Sequence, residues 1–465
     1  MEKVFEKAIE QIRRHYGLAG GAFVAVKNGR VVAKECFGYA DIEQKRPITT
    51  RSFFDIASCS KAFTTFLGAQ LCDEGKMDWD LPVRTWYPGF RMMDEYAAAH
   101  LTPRDMACHR SGLSRHDLVR RGVLTDRADY VSRIAYYPLS AGFREKMQYQ
   151  NQIYAALGYA EEQITGQTWE EMVTRRIAEP LGMEIGFRGI SDLAGLDAAL
   201  PYAEDHGVPR RASYNMCCAN NPCGGIKTNI DSLEHWVMML AQHGEYQGKR
   251  LISEAQYQQL KKPNIYMGEI GFNQNDKQRC YALGWMPSVY QGRRLVSHGG
   301  SIEGFNSNVG FFPDERSGYA VCVNTNGSGA QEILKYMLCD LLSGDLKADY
   351  TDLVESYHDH AVSMDSQVEH LEKLPVSAEE KANAVGHYYN DGYHDLYIVE
   401  NQEGGLRINY ADVHADLYKS ADGRFLGWFE AQGVFADVRF DADHRGAVIS
   451  LSEAYSPSVF KKLEA

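Results

Sequence analysis

The feature that most constrains the fold is the distribution of β-strand signals, because they lie on both sides of a long segment that has few of them. Residues 21–33 form two β-rich runs around Asn28-Gly29, which predicts an antiparallel hairpin. Strand signals then become sparse from residue 80 to residue 184. They return in further runs at residues 281–285, 294–297, 308–312 and 319–324. A sheet built from strands so far apart in sequence requires the intervening chain to fold beside it.

The intervening segment, roughly residues 80–200, is predicted to be a mostly helical insertion. Residues 152–165 have a helical composition that stops at Gly166, and residues 168–179 have one that stops at Pro180. An antiparallel sheet with a helical insertion indicates the α+β fold class.

The last part of the chain has a different character. Residues 346–374 are polar and charged, which is typical of a linker. After them, short β-type runs alternate with Asp-Gly and Gly-Gly turns, at residues 393–399, 406–410, 424–429, 434–440 and 447–451. The sequence therefore predicts a first domain at residues 1–345 and a second, all-β domain at residues 375–465.

Composition narrows the range of partners. The formal net charge of -13 argues against nucleic acid as a partner, because nucleic-acid binding depends on clustered lysine and arginine side chains.

The N-terminus and the cysteines indicate the compartment. The first ten residues read as an amphipathic helix rather than a secretion signal, which favours a cytoplasmic location without a membrane partner. The ten cysteines are scattered from Cys36 to Cys339 without a CxxC pair, as buried free thiols are. No cluster has zinc-ligand spacing, so no metal or other cofactor is expected.

Ser58-Cys59-Ser60-Lys61 matches the Ser-x-x-Lys pattern at the start of a predicted helix that Gly75 closes. A separation of three residues places the Ser58 hydroxyl and the Lys61 amine on one helix face. A serine hydroxyl needs a base beside it to attack a carbonyl carbon, and a helix N-terminus favours the developing oxyanion. The pattern predicts that Ser58 is a nucleophile and that Lys61 activates it.

Two further motifs carry polar groups suited to the same chemistry. Tyr149-Gln150-Asn151 offers a phenol that an adjacent cation such as Lys61 could help to deprotonate, and an amide that could orient both Lys61 and a substrate. In His298-Gly299-Gly300-Ser301 the glycines permit close approach to a bound acyl group, and the backbone N–H of Ser301 could join that of Ser58 in an oxyanion hole. Taken singly, each motif is equally compatible with a structural turn or a glycine-rich hairpin.

The order of the motifs is more specific than any one of them. The chain holds a second Ser-x-x-Lys, Ser458 to Lys461, and a second Tyr-x-Asn, Tyr388 to Asn390. Ser58, Tyr149 and His298 follow one another in that order, whereas the duplicates run in reverse. Only the first set has the order serine, tyrosine, histidine.

This set resembles the serine β-lactamase and penicillin-binding-protein superfamily, in particular its class C-like branch of esterases, D-aminopeptidases and related hydrolases. The approach Phe53-Phe54-Asp55-Ile56-Ala57-Ser58 is similar to that of the family, as are the four segments 109–113, 179–183, 224–228 and 281–285. The resemblance covers roughly residues 21–342 and implies a β-lactamase/transpeptidase-like sheet flanked by helices. The C-terminal domain resembles the lipocalin-like antiparallel barrel appended to some of these peptidases.

The resemblance also implies roles for the matching residues. Ser58 would form an acyl-enzyme, Lys61 and Tyr149 would move the proton, and Asn151, His298 and Gly300 would bind or orient the substrate. β-Lactamases carry Lys-Thr-Gly where this chain has His298-Gly299-Gly300, so the fixed ammonium that suits a substrate carboxylate is missing.

The expected function is therefore a serine hydrolase for a small ester, amide or short peptide. Three alternatives stay open: an acyltransferase of the same fold, a β-lactamase, and a catalytically silent relative that binds an acyl or peptide ligand. A homo-oligomer is possible, and the C-terminal domain is as compatible with a stability or assembly module as with a wall of the active site.

Overall fold

A computed structural model describes residues 2–187, 197–214, 217–268, 273–357, 374–429, 434–441, 446–451 and 457–463. In these ranges the chain forms an eight-stranded antiparallel sheet, a helical region beside it and a C-terminal barrel. The α+β prediction is confirmed.

The antiparallel sheet takes its strands from both ends of the region before residue 345. In spatial order they are Asp276–Lys277, Met286–Tyr290, Arg293–Ile302, Phe305–Phe312, Ser317–Val323, Gly20–Lys27, Arg30–Asp41 and Arg46–Pro47. Val24 lies opposite Ala320, so the predicted N-terminal hairpin joins the strands that come last in this region. The helix Ala330–Ser343 follows them, close to the predicted residues 331–342.

The two faces of the sheet pack against different layers. Along the strand Gly20–Lys27, Ala22, Val24 and Val26 face the larger core, whereas Phe23 and Ala25 face a second cluster. This alternation is the period of two expected of a strand buried on both sides. The helix Ile230–Ala241 covers the first face, and the helices Glu2–Tyr16 and Ala330–Ser343 cover the second.

The region between residues 80 and 184 contains helices and no strand, as predicted. The α-helices are Glu95–His100, Pro103–Ala107, Val119–Gly122, Arg127–Ser132, Asn151–Thr165, Trp169–Val173 and Glu179–Leu181. The predicted stop at Pro180 is wrong. A π-helical turn, Thr174–Ala178, continues into the last of these helices, where Pro180 occupies its first turn and so needs no intrahelical donor. Gly182, with φ of 65°, ends it.

The predicted strand at residues 281–285 is also only partly correct. Tyr281 ends the strand Arg279–Tyr281, but the backbone then turns at Gly284, where φ is 75° and the Ala282 N–H donates to the Trp285 carbonyl. The next strand, Met286–Tyr290, joins the main sheet. Later helices are Ile230–Ala241 and Glu254–Lys261.

The C-terminal strands close into a barrel because the first pairs with the last. In the described residues they are Gly386–Asn390, His394–Glu400, Leu406–Tyr410, Val413–Lys419, Phe425–Phe429, Val434–Phe440, Gly446–Leu451 and Ser458–Lys462. Leu396, Ile398, Leu406 and Ile408 fill the interior. The pattern in the sequence found five of these strands and missed Gly386–Asn390, Val413–Lys419 and Ser458–Lys462.

The predicted linker, residues 346–374, is packed in its first part. Residues 351–357 are helical, and both Tyr350 and Val354 are buried in the cluster behind the main sheet. The spacing of these two side chains places them on one helix face, which explains why a largely polar segment folds here. Residues 358–373 lie outside the described residues.

Candidate active site

The predicted nucleophile lies in a strained turn. The 3₁₀ turn Ala57–Ser60 leads into the helix Lys61–Asp73, and Ala57, directly before Ser58, has a φ of 45°. A positive φ costs a residue with a Cβ about 1 kcal/mol or more, and such conformations cluster at functional sites. The Ala57 N–H donates to Asp55 Oδ1 at 2.7 Å, which fixes this conformation. The turn presents Ser58 at the mouth of a cleft.

A buried ion pair supports that turn from below. Asp55, 0% exposed, lies 3.0 Å from Lys227 Nζ, 1% exposed, and it also accepts a hydrogen bond from the Tyr214 hydroxyl. The short strands Phe54–Asp55 and Lys227–Thr228 pair side by side and bring the two charges together. Both segments showed the family resemblance in the sequence, but their pairing could not be deduced from either segment alone.

The amine of Lys61 is fully buried and has three acceptors. Lys61 Nζ donates to Ser58 Oγ at 3.2 Å, to Asn151 Oδ1 at 2.8 Å and to the Cys223 carbonyl at 2.8 Å. Ser58 and Lys61 are therefore in contact, as their separation of three residues predicted. The amine stands beside the hydroxyl whose proton must move.

Tyr149 lies on the other side of the same amine. Lys61 Nζ is 4.7 Å from the centre of the Tyr149 ring, and the Arg115 guanidinium carbon is 5.3 Å from it. The buried imidazole of His109 packs against the ring with centroids 4.2 Å apart, which holds its orientation. Two cations, Lys61 and Arg115, therefore flank the phenol. The sequence analysis had not identified Arg115.

Asn151 is the first residue of the helix Asn151–Thr165, and both ends of its amide are engaged. Its Oδ1 accepts from Lys61, and its Nδ2 donates to Asp117 Oδ1 at 2.9 Å. Burial alone would raise the pKa of Asp117, but the Arg115 cation and the Asn151 amide hold it below its usual value. Asp117 stands in a loop without any motif, and the sequence analysis did not identify it.

The strand that carries His298 packs directly against the nucleophile turn. A Cβ added to Gly300 would stand 2.2 Å from the Ile56 carbonyl oxygen, and Ser307 Oγ donates to that oxygen at 2.7 Å. The Cys59 thiol donates to the His298 carbonyl at 3.2 Å. The absence of a side chain at position 300 is therefore needed for the close approach of these two segments.

The His298 imidazole is buried and neutral. Burial, with a contribution from the Lys61 cation, lowers its pKa to about 3. Nδ1 lies 2.6 Å from the Gly299 carbonyl oxygen, which can only accept, so Nδ1 carries the proton. Nε2 then accepts from the Tyr281 hydroxyl at 2.7 Å. This ring contributes a neutral wall, not a cation.

These residues surround a cleft of about 300 Å³. Its lining includes Ser58, Tyr149, His298, Gly300 and Ser301, while Lys61 and Asn151 stand behind Ser58. The structure thus brings together every residue that the sequence proposed for the site. The cleft walls also carry one cation, Arg115, and one carboxylate, Glu332, which the sequence analysis had not identified. Among the described residues no group of three or more histidine, cysteine and acidic side chains could hold a metal ion.

The two duplicate motifs lie in barrel strands. Ser458 and Lys461 belong to the strand Ser458–Lys462, in which Ser458 is buried and Lys461 is exposed. Side chains three apart in a strand point to opposite faces, so this serine and this lysine cannot meet. Tyr388 has its ring in the barrel core.

Comparison with known proteins places the chain in a family. The profile of the Beta-lactamase family matches residues 5–339. The chain belongs to the beta-lactamase family. The predicted membership of the serine β-lactamase superfamily is confirmed.

Relatives in this family are distant in sequence. Protein flp of Staphylococcus aureus (strain N315) is 22% identical over 364 residues, covering 77% of this chain and 70% of its own length. The unguisins hydrolase ungD' of Aspergillus campestris (strain IBT 28561) is 24% identical over 446 residues, covering 89% of this chain and 80% of its own length.

Solved structures show the same fold. The octameric penicillin-binding protein homologue from Pyrococcus abyssi has a TM-score of 0.62 at 18% identity and covers 99% of both chains. The class C beta lactamase from Rhodobacter sphaeroides has a TM-score of 0.56 at 16% identity and covers 79% of this chain and 99% of its own. In the described residues no helix has the length and apolar character needed to cross a membrane.

Proposed function

We propose that the chain is a serine hydrolase that cleaves a small ester, amide or short peptide through an acyl-enzyme on Ser58. The observation that carries this proposal is the contact between Lys61 Nζ and Ser58 Oγ at 3.2 Å, with Asn151 and Tyr149 around the same amine. A silent binding protein would have no need to keep a nucleophile, a buried amine and a phenol in one cleft.

In the acylation step, Ser58 Oγ forms a bond to the substrate carbonyl carbon. Its proton passes to the Lys61 and Tyr149 pair, in which the Tyr149 oxygen takes the proton and the Lys61 and Arg115 cations stabilise negative charge on that oxygen. The N–H groups of Ser58 and Ser301 donate to the oxyanion. When the bond to the leaving oxygen or nitrogen breaks, the same proton passes to that atom.

In the second step, water replaces the leaving group. The Lys61 and Tyr149 pair removes a proton from water as it attacks the acyl carbon, and returns that proton to Ser58 Oγ as the ester breaks. Asn151 holds Lys61 beside Ser58 during both steps, and His298 and Gly300 line the cleft that positions the acyl group.

The neutral wall at His298 favours esters and uncharged amides over β-lactams. A β-lactam carboxylate would lie next to an imidazole that carries no charge near neutral pH. An acyltransferase is the second candidate, because the neighbour EstCE1, described as a hydrolase with promiscuous acyltransferase activity, has a TM-score of 0.57 at 18% identity and covers 70% of this chain and 92% of its own. Product analysis with added alcohols or amines separates transfer from hydrolysis.

Three finer expectations remain part of the proposal. The closed barrel is expected to be lipocalin-like, the protein to be cytoplasmic, and the chain to form a homo-oligomer, as the name of the octameric homologue suggests. The domain limits 1–345, 346–374 and 375–465 also stay predictions. Light scattering of the purified protein tests its assembly.

Covalent labelling tests the central claim. A fluorophosphonate should add once to the wild type, at Ser58, and Ser58→Ala should not be labelled. Ser458→Ala is the matched control, because this serine has the same sequence pattern but lies in a barrel strand. Labelling of Ser58→Ala at the wild-type rate would refute the assignment.

A further inference from the structure

The C-terminal barrel packs against the segment 115–137, whose first residues border the active site. The Tyr393 hydroxyl lies 2.8 Å from His116 Nδ1, and the Tyr137 hydroxyl donates to the Gly392 carbonyl at 2.9 Å. The His116 and Tyr137 rings stack with centroids 4.0 Å apart and planes 13° from parallel. All three ring side chains are at most 2% exposed. The barrel therefore contacts this segment through a dry, hydrogen-bonded surface.

Other contacts fix the position of the same barrel loop. A Cβ added to Gly392 would stand 2.3 Å from the Tyr137 ring, so the backbone lies directly on that ring. Arg133, nearly buried, donates to His394 Nδ1 at 3.1 Å. Burial lowers the pKa of His116 to about 3, so its imidazole is neutral beside the Tyr393 hydroxyl. These contacts leave the loop little freedom to shift relative to residue 116.

The residues on either side of His116 reach the catalytic groups. Asp117 accepts the Asn151 Nδ2 proton at 2.9 Å, and Arg115 lies over the Tyr149 ring. Arg115 also donates to Asp117 through Nε at 2.8 Å. Three consecutive residues thus contact, in order, the phenol of the site, the barrel and the amide of the site.

The contact with Asp117 decides which way the Asn151 amide faces. A carboxylate can only accept, so it binds the NH₂ end of the amide and leaves Oδ1 directed at Lys61. The reversed amide would place two N–H donors against the Lys61 amine and an oxygen against a carboxylate. Both contacts would be repulsive, so Asp117 favours a single orientation of the group that fixes Lys61 beside Ser58.

We propose that Asp117 is a positioning residue for the Lys61 and Asn151 pair, and that the C-terminal barrel sets its place through the Tyr393–His116 contact. This proposal rests on the proposed hydrolase function for its kinetic consequences. It gives the barrel a role in catalysis in which none of its own residues touches the substrate.

Asp117→Asn tests the first half. We expect acylation by p-nitrophenyl acetate to slow on the order of 100-fold, because the amide can then reverse and the Lys61 amine loses its fixed partner. The acidic limb of the pH–rate profile should move to lower pH, since removing a negative charge makes it easier for the base to lose its proton. The ionisable groups that face Lys61 and Asn151 are Asp117, Arg115, Tyr149, Tyr154, His109, His298 and Cys223. A merely structural loss would lower the rate without moving this limb.

Tyr393→Phe tests the second half, because it removes one hydroxyl and keeps the ring. Acylation should slow by about fivefold, the effect of one lost neutral hydrogen bond. Tyr397→Phe is the matched control, since that barrel tyrosine is 45% exposed and stacks on His387. In an Asp117→Asn background, Tyr393→Phe should have little further effect, because both changes act through one contact.

Hydrogen–deuterium exchange gives a readout that does not depend on turnover. Tyr393→Phe should speed exchange in residues 113–122, and Tyr397→Phe should not. Equal exchange rates of residues 113–122 in Tyr393→Phe and Tyr397→Phe would overturn the barrel's role. So would a Tyr393→Phe effect on the acylation rate that is undiminished in the Asp117→Asn background. An unchanged rate and profile in Asp117→Asn would overturn the role of Asp117. A wild type that reacts with no acyl probe would refute the hydrolase function, and exchange would still decide whether the barrel orders this segment.

Discussion

Gly300 lies so close to Ile56 that a Cβ on it would stand 2.2 Å from the Ile56 carbonyl oxygen. This contact joins the strand bearing His298 to the turn that presents Ser58. The geometry of the nucleophile therefore depends on a residue that has no side chain.

Gly300→Ala should accordingly lower both stability and acylation, because the methyl group must push the nucleophile turn away from the strand. Forced overpacking of this kind costs about 1–3 kcal/mol. Urea denaturation measures the loss. Gly299→Ala is the matched stability control, since a Cβ there would meet its nearest atom at an ordinary 3.5 Å. Equal midpoints for the two variants would contradict the close approach.

Lys61→Met should abolish most of the acylation. Methionine fills a similar volume in the buried site but offers no amine to bind Ser58 Oγ and Asn151 or to stabilise negative charge on Tyr149. The burst rate with p-nitrophenyl acetate should fall by about 10³-fold or more, the loss typical of a removed base. Lys76→Met, at an exposed position after the same helix, should retain the wild-type rate. A Lys61→Met burst within tenfold of wild type would exclude a role for Lys61 in moving the Ser58 proton.

Asp55→Asn should destabilise the protein strongly, because it leaves the Lys227 ammonium buried without its counter-charge. Breaking a buried pair from one side typically costs about 3–5 kcal/mol. The exposed pair between Arg51 and Glu184 offers the comparison, since Arg51→Ala should change stability by about 0.5 kcal/mol or less. Chemical denaturation measures the free energy of unfolding of both variants and of the wild type. Equal losses in the two variants would show that the Asp55–Lys227 pair is exposed to water.

Acid should destabilise the fold through His116. Burial lowers the pKa of this imidazole to about 3, below its ordinary value near 6.5, so the unfolded chain binds a proton that the folded chain does not. Stability from this group is present above about pH 6.5 and is lost as the pH falls toward 3, by about 1.4 kcal/mol per pH unit. His116→Asn keeps an acceptor for Tyr393 but cannot titrate, and its stability should depend less on pH in this range. Parallel curves for the two proteins would show that His116 is not buried in neutral form.

The sequence could predict those parts of the site that depend on local spacing or on motif order. The Ser58–Lys61 contact follows from helical periodicity, and the order of Ser58, Tyr149 and His298 separated the site from its duplicates. Asp117 could not be found in this way, because its role depends on a loop that folds against Asn151. The Asp55–Lys227 pair depends on two strands that meet only in the folded chain.

The fold shows the same division. Runs of alternating or β-branched residues identified most strands of the main sheet and five of the barrel. The strand Val413–Lys419 was missed although its residues alternate, because Ala415 and Asp416 at its centre have low strand propensity. The turn at Gly284 interrupted a run that composition favoured as a strand. Pro180 was misjudged because a proline in the first turn of a helix segment is compatible with helical geometry.

The pairing of Gly20–Lys27 with Ser317–Val323 has a consequence for biosynthesis. A ribosome must synthesise about 300 residues after the strand Gly20–Lys27 before the strand Ser317–Val323 can pair with it. During that time the growing chain exposes an apolar strand that is buried on both faces in the folded protein. Strand pairing between residues so far apart in sequence slows folding, and the apolar surface that stays exposed until then promotes aggregation. Dependence on chaperones during translation should accordingly end once residue 343, the end of the helix that covers the second face of this strand, has cleared the exit tunnel.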